Sequence, residues 1–378
     1  MKPSYTVILY TPQELNHSSY VQTGLFELER LGIIRVKVKL CIAERRGRIK
    51  TDAKGNSIRA HQAYPKASYY RLVDHNNNKS IFFCMDLYDF GNQFPEHALQ
   101  HCDYVFKRHY DSRYVKFLER QDRDKLLPLG LSFGVHSHYK TNDLIFKIGL
   151  FLSHLRLQFI LNRSLLKRLQ FSFYQQQKHL RFIQTTRTLD RFESYTLPSE
   201  RIILFQTRCF LNDHSEDVKA IHEQRYRLIR LLRQEFPDQF QGGFVRSPFS
   251  EAHYADALTH VPSDPERYLD VLKQARIVIY TRGLANSPAW KMAEYLSQGK
   301  VILAEPLSAE LPIPLTHGKE VLFFNTDEEL VTLIHQVLND DDLALRLSQH
   351  ARAYFEAHVH PVPTIKRILE LMVTPKTN

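Results

Sequence analysis

The sequence predicts an α/β protein made of two doubly wound halves. Strand and helix signals alternate over residues 5–131, and a second alternating series covers residues 201–358. The segment between the two series is basic and amphipathic instead. A length of 378 residues suits two domains of roughly 100–200 residues each. Alternation of this kind is typical of parallel sheets that are covered by helices.

The first half begins with a βαβ unit, which implies a parallel pair with a right-handed crossover. Strand-forming residues at 5–11 are followed by a helical pattern at 21–31, and basic and apolar residues alternate at 34–40. The polar region 44–67 lacks periodicity and predicts a loop or an irregular excursion. The remaining predicted elements are a short helix at 95–102 and strands at 80–85, 103–108 and 126–131.

The second half repeats this alternation from a buried apolar strand onwards. Pro237 ends its first helix, and Gly299 separates a later helix from the strand that follows. The predicted strands are 202–205, 243–245, 275–280 and 300–304, and the predicted helices are 222–236, 265–274, 288–298, 328–338 and 343–358. We therefore divide the chain into an N-terminal domain at 1–140, a basic helical insertion at 141–199, a C-terminal domain at 200–360, and a C-terminal helix and tail at 361–378.

The excess positive charge is concentrated in the insertion. The chain has 51 basic and 41 acidic residues, a formal net charge of +10, which favours an anionic partner. Between Leu144 and Leu189 there are eight basic residues and no acidic one. They are Lys147, Arg156, Arg163, Lys167, Arg168, Lys178, Arg181 and Arg187.

Three interpretations of this segment remain open. Apolar residues such as Leu152, Leu155 and Phe159 recur at helical spacing, away from the basic residues. Such a helix can lie in an anionic membrane interface, where each basic residue contributes roughly 1 kcal/mol. It can instead pack on the core with a solvated basic side, or it can bind RNA with Phe171, Phe173 and Tyr174 as stacking groups.

Targeting and cysteine signals favour a reducing compartment. Four cysteines form no C-x-x-C pair, and the apolar stretch at the N-terminus is too short for a secretory signal. No apolar run reaches the roughly 18 residues of a membrane-spanning helix. We expect a cytoplasmic protein that is peripherally associated with the inner face of the membrane.

Several specific catalytic signatures are missing from the sequence. It has no G-x-G-x-x-G fingerprint, P-loop, G-x-S-x-G elbow or H-E-x-x-H pair. The H-x-H pairs His136/His138 and His358/His360 could bind metal, but such a pair alone is more often coincidence in a chain with 19 histidines. The sequence therefore predicts no metal site and no bound cofactor.

Residues 280–305 are the most informative stretch, because they predict a strand, a loop, a helix, a glycine stop and a second strand. Ligands of open parallel sheets lie at the carboxyl ends of the strands, which is where Arg282 would fall. We expect Ser287 to cap the helix and Pro288 to take its first position, so that the N-terminus can bind phosphate. Lys291 and Glu294 share a face that suits a nucleotide-sugar, or they form a surface pair worth roughly 0.2–0.5 kcal/mol.

The pattern K-x-x-E-Y-L-x-x-G-K-V-I at 291–302 resembles the donor-site helix of GT-B glycosyltransferases of the group 1 type. The resemblance continues through 317–322, 327–330, 340–342 and 351–352, and it covers about eighty residues. It implies two Rossmann-like domains that face each other across a cleft. The N-terminal half resembles the family only in the order of its elements.

The resemblance also implies roles for particular residues. Glu294 would bind the ribose of the nucleotide, and Ser287 and Lys291 would contact the diphosphate and the sugar. Arg208 would balance the charge of the leaving diphosphate, so that no metal is needed. Arg282 is a further candidate for this role because of its position at the carboxyl end of a strand and not because of the resemblance. The nucleotide-sugar is then a co-substrate and not a cofactor. The sequence departs from the family at Asn286, where these enzymes often have a second glutamate, and this leaves retention or inversion open.

The acceptor side is predicted from the run at 84–91. Asp86 and Asp89 follow an apolar strand, at the end where a general base or a ligand for an acceptor hydroxyl would lie. Alternatively, Asp89 caps a turn ahead of Gly91. Lys107, Arg108 and His109, which end the next strand, are further candidates for this site.

We expect the protein to transfer a sugar from a nucleotide-sugar donor to a glycan or lipid-linked acceptor at the membrane surface. We expect this transfer to be a step in the synthesis of a bacterial-type surface polysaccharide or glycolipid. A catalytically inactive GT-B-like protein that binds glycans or nucleotides is the main alternative, and a nucleic-acid-binding protein is the second. If the protein is a glycosyltransferase, we expect it to have no nucleic-acid partner.

Overall fold

The computed structural model describes residues 3–11, 13–40, 45–139, 185–197, 200–211 and 215–374. The chain divides into two compact units. The N-terminal unit comprises Met1–Leu189 and His360–Asn378, and the C-terminal unit comprises Asp190–Val359. Each unit contains its own mixed or parallel sheet with associated helices, so the predicted α/β class is confirmed in both.

The strands and helices alternate along most of the described chain. The strands are β1 (Tyr5–Thr11), β2 (Arg35–Leu40), β3 (Arg46–Thr51), β4 (Ser57–Ala63), β5 (Ala67–Asp74), β6 (Lys79–Asp86), β7 (Gln93–Pro95), β8 (Tyr104–Lys107), β9 (Leu126–Pro128), β10 (Ile203–Thr207), β11 (Phe240–Phe244), β12 (Ile277–Tyr280), β13 (Val301–Ala304) and β14 (Leu322–Phe323). The helices are α1 (Leu15–Arg30), α2 (Glu96–His101), α3 (Ser112–Val115), α4 (Arg120–Arg123), α5 (Leu189–Glu193), α6 (Glu216–Glu235), α7 (Pro248–His253), α8 (Pro265–Gln274), α9 (Trp290–Ser297), α10 (Asp327–Asn339), α11 (Asp341–Tyr354) and α12 (Pro361–Val373).

Local sequence determines where several helices of the C-terminal unit begin. The Ser215 side chain caps α6 by accepting a hydrogen bond from the backbone N–H of Val218. Asp264 caps α8 in the same way, and Pro265 takes the first helical position. Glu216 and Asp217 place negative charge in the first turn of α6, where it offsets the positive end of the helix dipole.

The C-terminal sheet is entirely parallel, with strand order β11-β10-β12-β13-β14. All residues of β10, β12 and β13 are buried, as expected of central strands with helices on both faces. At Gly242 in β11, a Cβ atom would lie 2.0 Å from the carbonyl oxygen of Phe205 in β10, so only glycine fits this position. The doubly wound architecture predicted for this half is confirmed.

The N-terminal sheet has the order β2-β1-β5-β6-β8-β9 and contains one strand that the sequence analysis missed. β1 pairs with β2, β6 with β8, and β8 with β9 in parallel, whereas β5 is antiparallel to both of its neighbours, β1 and β6. Because of this direction, the start of β5 lies beside the carboxyl end of β6, where Ala67 is opposite Asp86. Residues just before β5 can therefore join a site at that edge.

The prediction of a loop at 44–67 was wrong. This region contains β3 and β4, which form an antiparallel hairpin, and β7 pairs with β3 to give a separate three-stranded sheet. The carboxylate of Asp52 accepts hydrogen bonds from the backbone N–H groups of Lys54 and Asn56, and Gly55 has a φ of 92°. An aspartate that is followed a few residues later by a glycine is a turn signal. The sequence analysis missed it because it judged the region only by its polarity and its lack of periodicity.

The C-terminal helix α12 packs on α1 of the N-terminal unit. A Cβ atom at Gly24 of α1 would lie 2.4 Å from Cγ1 of Ile365 and 2.6 Å from the carbonyl oxygen of Pro361. The side chain of His360 caps α12 by accepting a hydrogen bond from the backbone N–H of Val362 at 3.2 Å. The chain thus returns to its first unit after it has completed the second.

Most of the basic segment lies outside the described residues, including the apolar and basic positions from which the amphipathic helix was predicted. Of its eight basic residues only Arg187 is described. Arg187 is buried, and its carbonyl oxygen accepts a hydrogen bond from the backbone N–H of His136. Its charge is therefore not displayed on a surface. In the part of the chain that the structure describes, no helix has the length and apolar character needed to cross a membrane.

Candidate functional site

The topology of the C-terminal sheet marks one place for a ligand. Strand order reverses between β10 and β12, which are neighbours in the sheet although β11 separates them in sequence. At such a switch point, the connections from the two strands lead to opposite faces and leave a crevice at their carboxyl ends. Arg208 follows β10 directly, and Thr281 and Arg282 follow β12. The two predicted arginines thus lie at the same switch point.

A third arginine, which the sequence analysis missed, joins the two loops. Arg225 lies on α6 and is almost fully buried. Its guanidinium donates to the carbonyl oxygen of Arg208 at 2.8 Å and to that of Arg282 at 3.2 Å. Burial lowers the pKa of Arg225 to about 10, so that it remains charged at neutral pH. Arg225 therefore fixes the backbone from which both predicted arginines extend.

The two predicted arginines have different surroundings. The guanidinium of Arg282 forms an ion pair with Asp217 in the first turn of α6, and its backbone N–H donates to Glu305 at 2.9 Å. Arg208 is exposed, and its hydrogen bond to the carbonyl oxygen of Ser263 is long, at 3.4 Å. Among the described residues Arg208 has no ion pair within 4.0 Å, so it can bind an incoming anion without breaking one.

The loop after β12 has a strained backbone. Ala285 and Asn286 have φ values of 52° and 58°, in the left-handed region that side chains other than glycine rarely adopt. Asp217 accepts a hydrogen bond from the backbone N–H of Ala285 at 2.8 Å, and Ser308 donates to the carbonyl oxygen of Asn286 at 2.7 Å. Strain that neighbouring groups hold in place is common at binding and catalytic sites.

The helix after this loop begins later than predicted, which corrects the expected positions of Ser287 and Pro288. Helix α9 starts at Trp290, and Ala289 is its N-cap residue. The hydroxyl of Tyr280 accepts a hydrogen bond from the N–H of Ala289 itself at 2.8 Å, and Ser287 does not cap the helix. Ser287 is buried in the loop, where its carbonyl oxygen accepts a hydrogen bond from the Gly283 N–H. No side chain caps α9, so the positive end of its dipole is not offset by a capping carboxylate.

Lys291 and Glu294 occupy the first turns of α9. The ammonium of Lys291 donates to the carbonyl oxygen of Gln206 in β10 and to the hydroxyl of Tyr268 at 3.2 Å. It therefore lies at the end of β10, beside the switch point. Glu294 is only 7% exposed, which is inconsistent with the alternative of a solvated surface pair. The role of these two residues in donor binding stays a prediction.

The N-terminal sheet has an equivalent switch point, with β5 inserted between β1 and β6. Asp86 ends β6 and is completely buried, as is its partner Lys107, whose ammonium lies 2.7 Å from Oδ2. The hydroxyl of Tyr64 donates to both carboxylate oxygens, at 3.0 and 3.1 Å. Burial raises the pKa of Asp86 even though Lys107 opposes the effect. This enclosure favours a structural role over the catalytic role that we predicted for Asp86.

Asp89 lies nearer the surface, with its side chain 21% exposed. Lys66 approaches Oδ2 at 2.5 Å, and Arg108 approaches Oδ1 at 2.7 Å. Burial by itself would raise the pKa of Asp89, but the charges of Arg108 and Lys66 outweigh it and hold the pKa below its ordinary value. A carboxylate that is stabilised in this way is a weak base, which argues against Asp89 as the proton acceptor.

Three residues that the sequence analysis did not select complete this cluster. Glu14 and His17 lie at the start of α1, which follows β1, and Lys66 precedes β5. The Nδ1 atom of His17 is 2.8 Å from a carboxylate oxygen of Glu14, and its Nε2 atom is 3.1 Å from the ammonium of Lys66. A histidine beside an acid at a helix start was a local signal, whereas the approach of Lys66 depends on the unpredicted strand β5.

The described residues contain no group of three or more His, Cys, Asp or Glu side chains arranged to hold a metal ion. Of the H-x-H pairs, His136 and His138 have ring centroids 6.2 Å apart, and His360 serves as a helix cap.

The C-terminal unit is thus a doubly wound domain with two arginines at its switch point. Residues 225–370 match the family model described as glycosyl transferase-like. The match includes α9 and agrees with the resemblance that the pattern at 291–302 indicated, so that the GT-B group 1 resemblance is confirmed. No curated protein matches the chain.

Solved structures with similarity to the chain include several glycosyltransferases. The C-terminal domain of a group 1 family glycosyl transferase (LpcC) from Francisella tularensis is 11% identical, with 42% of this chain and 86% of that one covered and a TM-score of 0.30. HepE from Anabaena, solved with UDP and glucose, is 14% identical over 74% of this chain and 65% of that one, with a TM-score of 0.39. A glycosyltransferase from Rickettsia africae is 13% identical over 71% of this chain and 62% of that one, with a TM-score of 0.39. The chain therefore spans less than two thirds of the last two proteins.

Proposed function

We propose that this protein is a glycosyltransferase that uses a nucleotide-sugar donor, which the C-terminal unit binds. The observation that carries the proposal is the pair of arginines at the switch point of a domain that matches a glycosyl transferase-like family. Arg208 and Arg282 supply positive charge where a diphosphate would lie, and the uncapped N-terminus of α9 adds a positive dipole end.

The chemistry of transfer explains why these groups are needed. When the bond between the anomeric carbon and the diphosphate breaks, negative charge develops on the leaving oxygen. Fixed positive groups at that point stabilise the transition state more than the bound substrate. Arg208 and Arg282 therefore serve the leaving group, Lys291 and Ser287 contact the diphosphate and the sugar, and Glu294 accepts hydrogen bonds from the ribose hydroxyls. In this proposal, the transfer needs no metal ion.

The acceptor is a glycan or a lipid-linked saccharide at the surface of an anionic membrane, and the N-terminal unit binds it. The support for a membrane surface is the run of basic residues without an acidic one between Leu144 and Leu189. In this proposal, the enzyme acts in the synthesis of a surface polysaccharide or glycolipid, on the cytoplasmic face of the membrane.

A thermal-stability screen of UDP-, GDP-, ADP- and dTDP-linked sugars tests the proposal without knowledge of the acceptor. A ligand at 100 times its Kd adds about 2.7 kcal/mol to the stability of the folded state. The expected result is stabilisation by sugars linked to one of these nucleotides. When a cell extract that contains the acceptor is then added, the nucleoside diphosphate should be released. Stabilisation without turnover would support the inactive binding protein. Binding of RNA with a steep loss on addition of salt would support the nucleic-acid alternative.

The donor site leads to a prediction for Glu294. We expect Glu294→Ala to weaken donor binding roughly 10- to 100-fold, because hydrogen bonds to a charged group contribute about 1.5–3 kcal/mol. Isothermal calorimetry with the donor found in the screen measures the change. Glu266→Ala, on the neighbouring helix α8, is the matched control, because its carboxylate is half-exposed and pairs with Arg191. Unchanged donor affinity in a folded Glu294→Ala protein would remove the assignment.

The membrane part of the proposal leads to a separate prediction. Replacing Arg163, Lys167 and Arg168 by glutamine should abolish co-sedimentation with anionic liposomes, because three charges contribute roughly 3 kcal/mol. Liposomes of neutral lipid measure binding that does not depend on charge. In the control protein, glutamine replaces three exposed basic residues of the N-terminal unit, which are Lys116, Arg120 and Arg123. Equal sedimentation of the two variants would argue against the membrane role of the segment.

A further inference from the structure

Two helices of the C-terminal unit begin at the switch point, and their first turns differ in charge. Helix α6 follows β10 and carries Glu216 and Asp217 in its first turn. Helix α9 follows β12 and has no acidic residue in its first turn. A carboxylate in a first turn offsets the positive end of the helix dipole and repels a phosphate. The two helix starts therefore favour an anion at α9 and oppose one at α6.

Asp217 contacts the two groups of the loop after β12 that are best suited to bind a phosphate. Its Oδ1 atom accepts a hydrogen bond from Nη1 of Arg282 at 2.5 Å, and its Oδ2 atom accepts one from the backbone N–H of Ala285 at 2.8 Å. A guanidinium and a backbone N–H in a left-handed turn are donors that commonly bind phosphate oxygens. Asp217 therefore occupies, with its own carboxylate, donors that a diphosphate would use.

The backbone of Arg282 is held without the help of Asp217. Its N–H donates to Oε2 of Glu305 at 2.9 Å, and its carbonyl oxygen accepts a hydrogen bond from the guanidinium of Arg225 at 3.2 Å. Glu305 follows β13 and Arg225 lies on α6, so the loop is fixed from two other elements. Breaking the ion pair with Asp217 therefore frees the guanidinium of Arg282 while the backbone that carries it stays in place.

Both charged groups of this ion pair reach solvent. The side chain of Arg282 is 24% exposed and that of Asp217 is 36% exposed, in contrast to the sealed pair of Asp86 and Lys107. An ion pair with this much exposure is weak, because water and salt screen it. A diphosphate carries more charge than a carboxylate and can bind a guanidinium through two parallel hydrogen bonds. The guanidinium of Arg282 can therefore exchange the carboxylate for a diphosphate.

We propose that Asp217 competes with the diphosphate for Arg282, and that it thereby favours release of the nucleoside diphosphate after transfer. This inference rests on the function proposed above. In the transfer, the acceptor oxygen loses its proton and bonds to the anomeric carbon, and the electron pair of the broken bond stays on the diphosphate. The product therefore has one more negative charge than the donor, since the second pKa of a terminal phosphate is about 6. The carboxylate of Asp217 repels the product more strongly than the donor.

The test measures binding to the full-length protein by calorimetry, with UDP, GDP, ADP and dTDP and with the donor found in the screen. Asp217→Asn removes the charge but keeps an oxygen that can accept from the N–H of Ala285. We expect it to tighten binding of the nucleoside diphosphate by roughly 5- to 10-fold, because one weak ion pair and the repulsion from its carboxylate are lost, and to tighten donor binding less. Weaker binding of the nucleoside diphosphate would overturn the proposal, since Asp217 would then orient Arg282.

Glu216→Gln is the matched control, because it makes the same change of charge in the same helix turn. The side chain of Glu216 is 90% exposed and pairs with Lys219 at 3.0 Å, so its replacement should change the affinity less than about twofold. In an Arg282→Gln background, Asp217→Asn should lose most of its effect, because the competition acts through Arg282. High salt should also reduce the effect by screening. An effect that depends on neither Arg282 nor salt would show that it arises from packing and would overturn the proposal.

The outcomes separate the two proposals. If the wild-type protein and Asp217→Asn bind the same nucleoside diphosphate equally well, Asp217 is not a competitor while the glycosyltransferase function stands. If the wild-type protein binds no nucleotide-sugar and none of the four nucleoside diphosphates, the proposed function fails, and the role of Asp217 fails with it. Thermal unfolding shows whether each variant is folded, and Asp217→Ala provides a second variant without the charge should Asp217→Asn not fold.

Discussion

Lys107→Met should lower the free energy of unfolding by about 3–5 kcal/mol at pH 7.5, since it leaves the charge of Asp86 buried without a partner. Both side chains are 0% exposed, and the ammonium of Lys107 also donates to the carbonyl oxygen of Gln93 at 2.8 Å. Methionine preserves most of the volume of lysine, so the loss reflects charge and hydrogen bonding more than packing. Urea unfolding of the full-length protein, followed by circular dichroism, measures the change.

The double variant Asp86→Asn/Lys107→Met distinguishes the effect of removing the whole ion pair from the effect of leaving one buried charge without its partner. A neutral side chain at each position removes the buried charges together, and we expect it to recover most of the stability that Lys107→Met loses. The same protein tests the function of Asp86. If Asp86 has a structural role, the folded double variant keeps its transferase activity, whereas a folded but inactive double variant would restore the catalytic role that the sequence analysis predicted.

The pH dependence of the Lys107→Met deficit follows from the raised pKa of Asp86. An acid whose pKa is higher in the folded than in the unfolded state takes up a proton on folding, so that stability falls as pH rises through the window between the two pKa values. Removal of Lys107 raises the folded-state pKa further and extends the window upward. The deficit of the variant should therefore shrink as the pH is lowered. A deficit that is constant with pH would show that it arises from packing.

The existence of most strands and helices could be predicted from sequence, because it depends on local patterns. The central strand β12 and helix α8 were predicted within two residues, since buried apolar runs and the Asp264-Pro265 start are both local. The start of α9 was predicted two residues too early, because Ala285 and Asn286 have a left-handed backbone and Ser287 and Ala289 have an extended one. Neither of these features has a local signal at Ser287 or Pro288.

The candidate sites show the same limit. Arg282 was predicted from its place just beyond a recognisable strand and Arg208 from the family resemblance, but Arg225, which joins their loops, lies in the middle of a helix where arginine is unremarkable. Asp86 and Asp89 are three residues apart in sequence and differ completely in burial and partners. Residue type and spacing place a side chain at an edge of a sheet, and only the packing of distant segments shows which side chain remains accessible there.

The second large effect is expected for Arg208. In the proposed reaction, Arg208→Gln should lower kcat by roughly 10²- to 10³-fold, the usual loss when one group that stabilises developing negative charge is removed. Stability should be almost unchanged, because Arg208 is exposed and makes one long hydrogen bond. Arg282→Gln is a less decisive variant, since it also breaks the ion pair with Asp217. Release of the nucleoside diphosphate under saturating donor measures the rate.

Arg201 provides a matched control on the same strand. It lies just before β10 and Arg208 lies just after it, so that the two arginines occupy opposite edges of the sheet. Arg201 is exposed and has a distant ion pair with Asp341 at 3.7 Å, so Arg201→Gln should cost less than about 1 kcal/mol of stability and leave the rate unchanged. Because the variants differ only in which end of β10 loses its charge, a loss confined to Arg208→Gln would assign the effect to the carboxyl edge. Equal rates for the two variants would mean that this edge does not hold the leaving group.

Arg208→Lys refines the result, since lysine keeps the charge but not the forked donor geometry. Partial recovery would then indicate a diphosphate that is bound by paired hydrogen bonds as well as by charge.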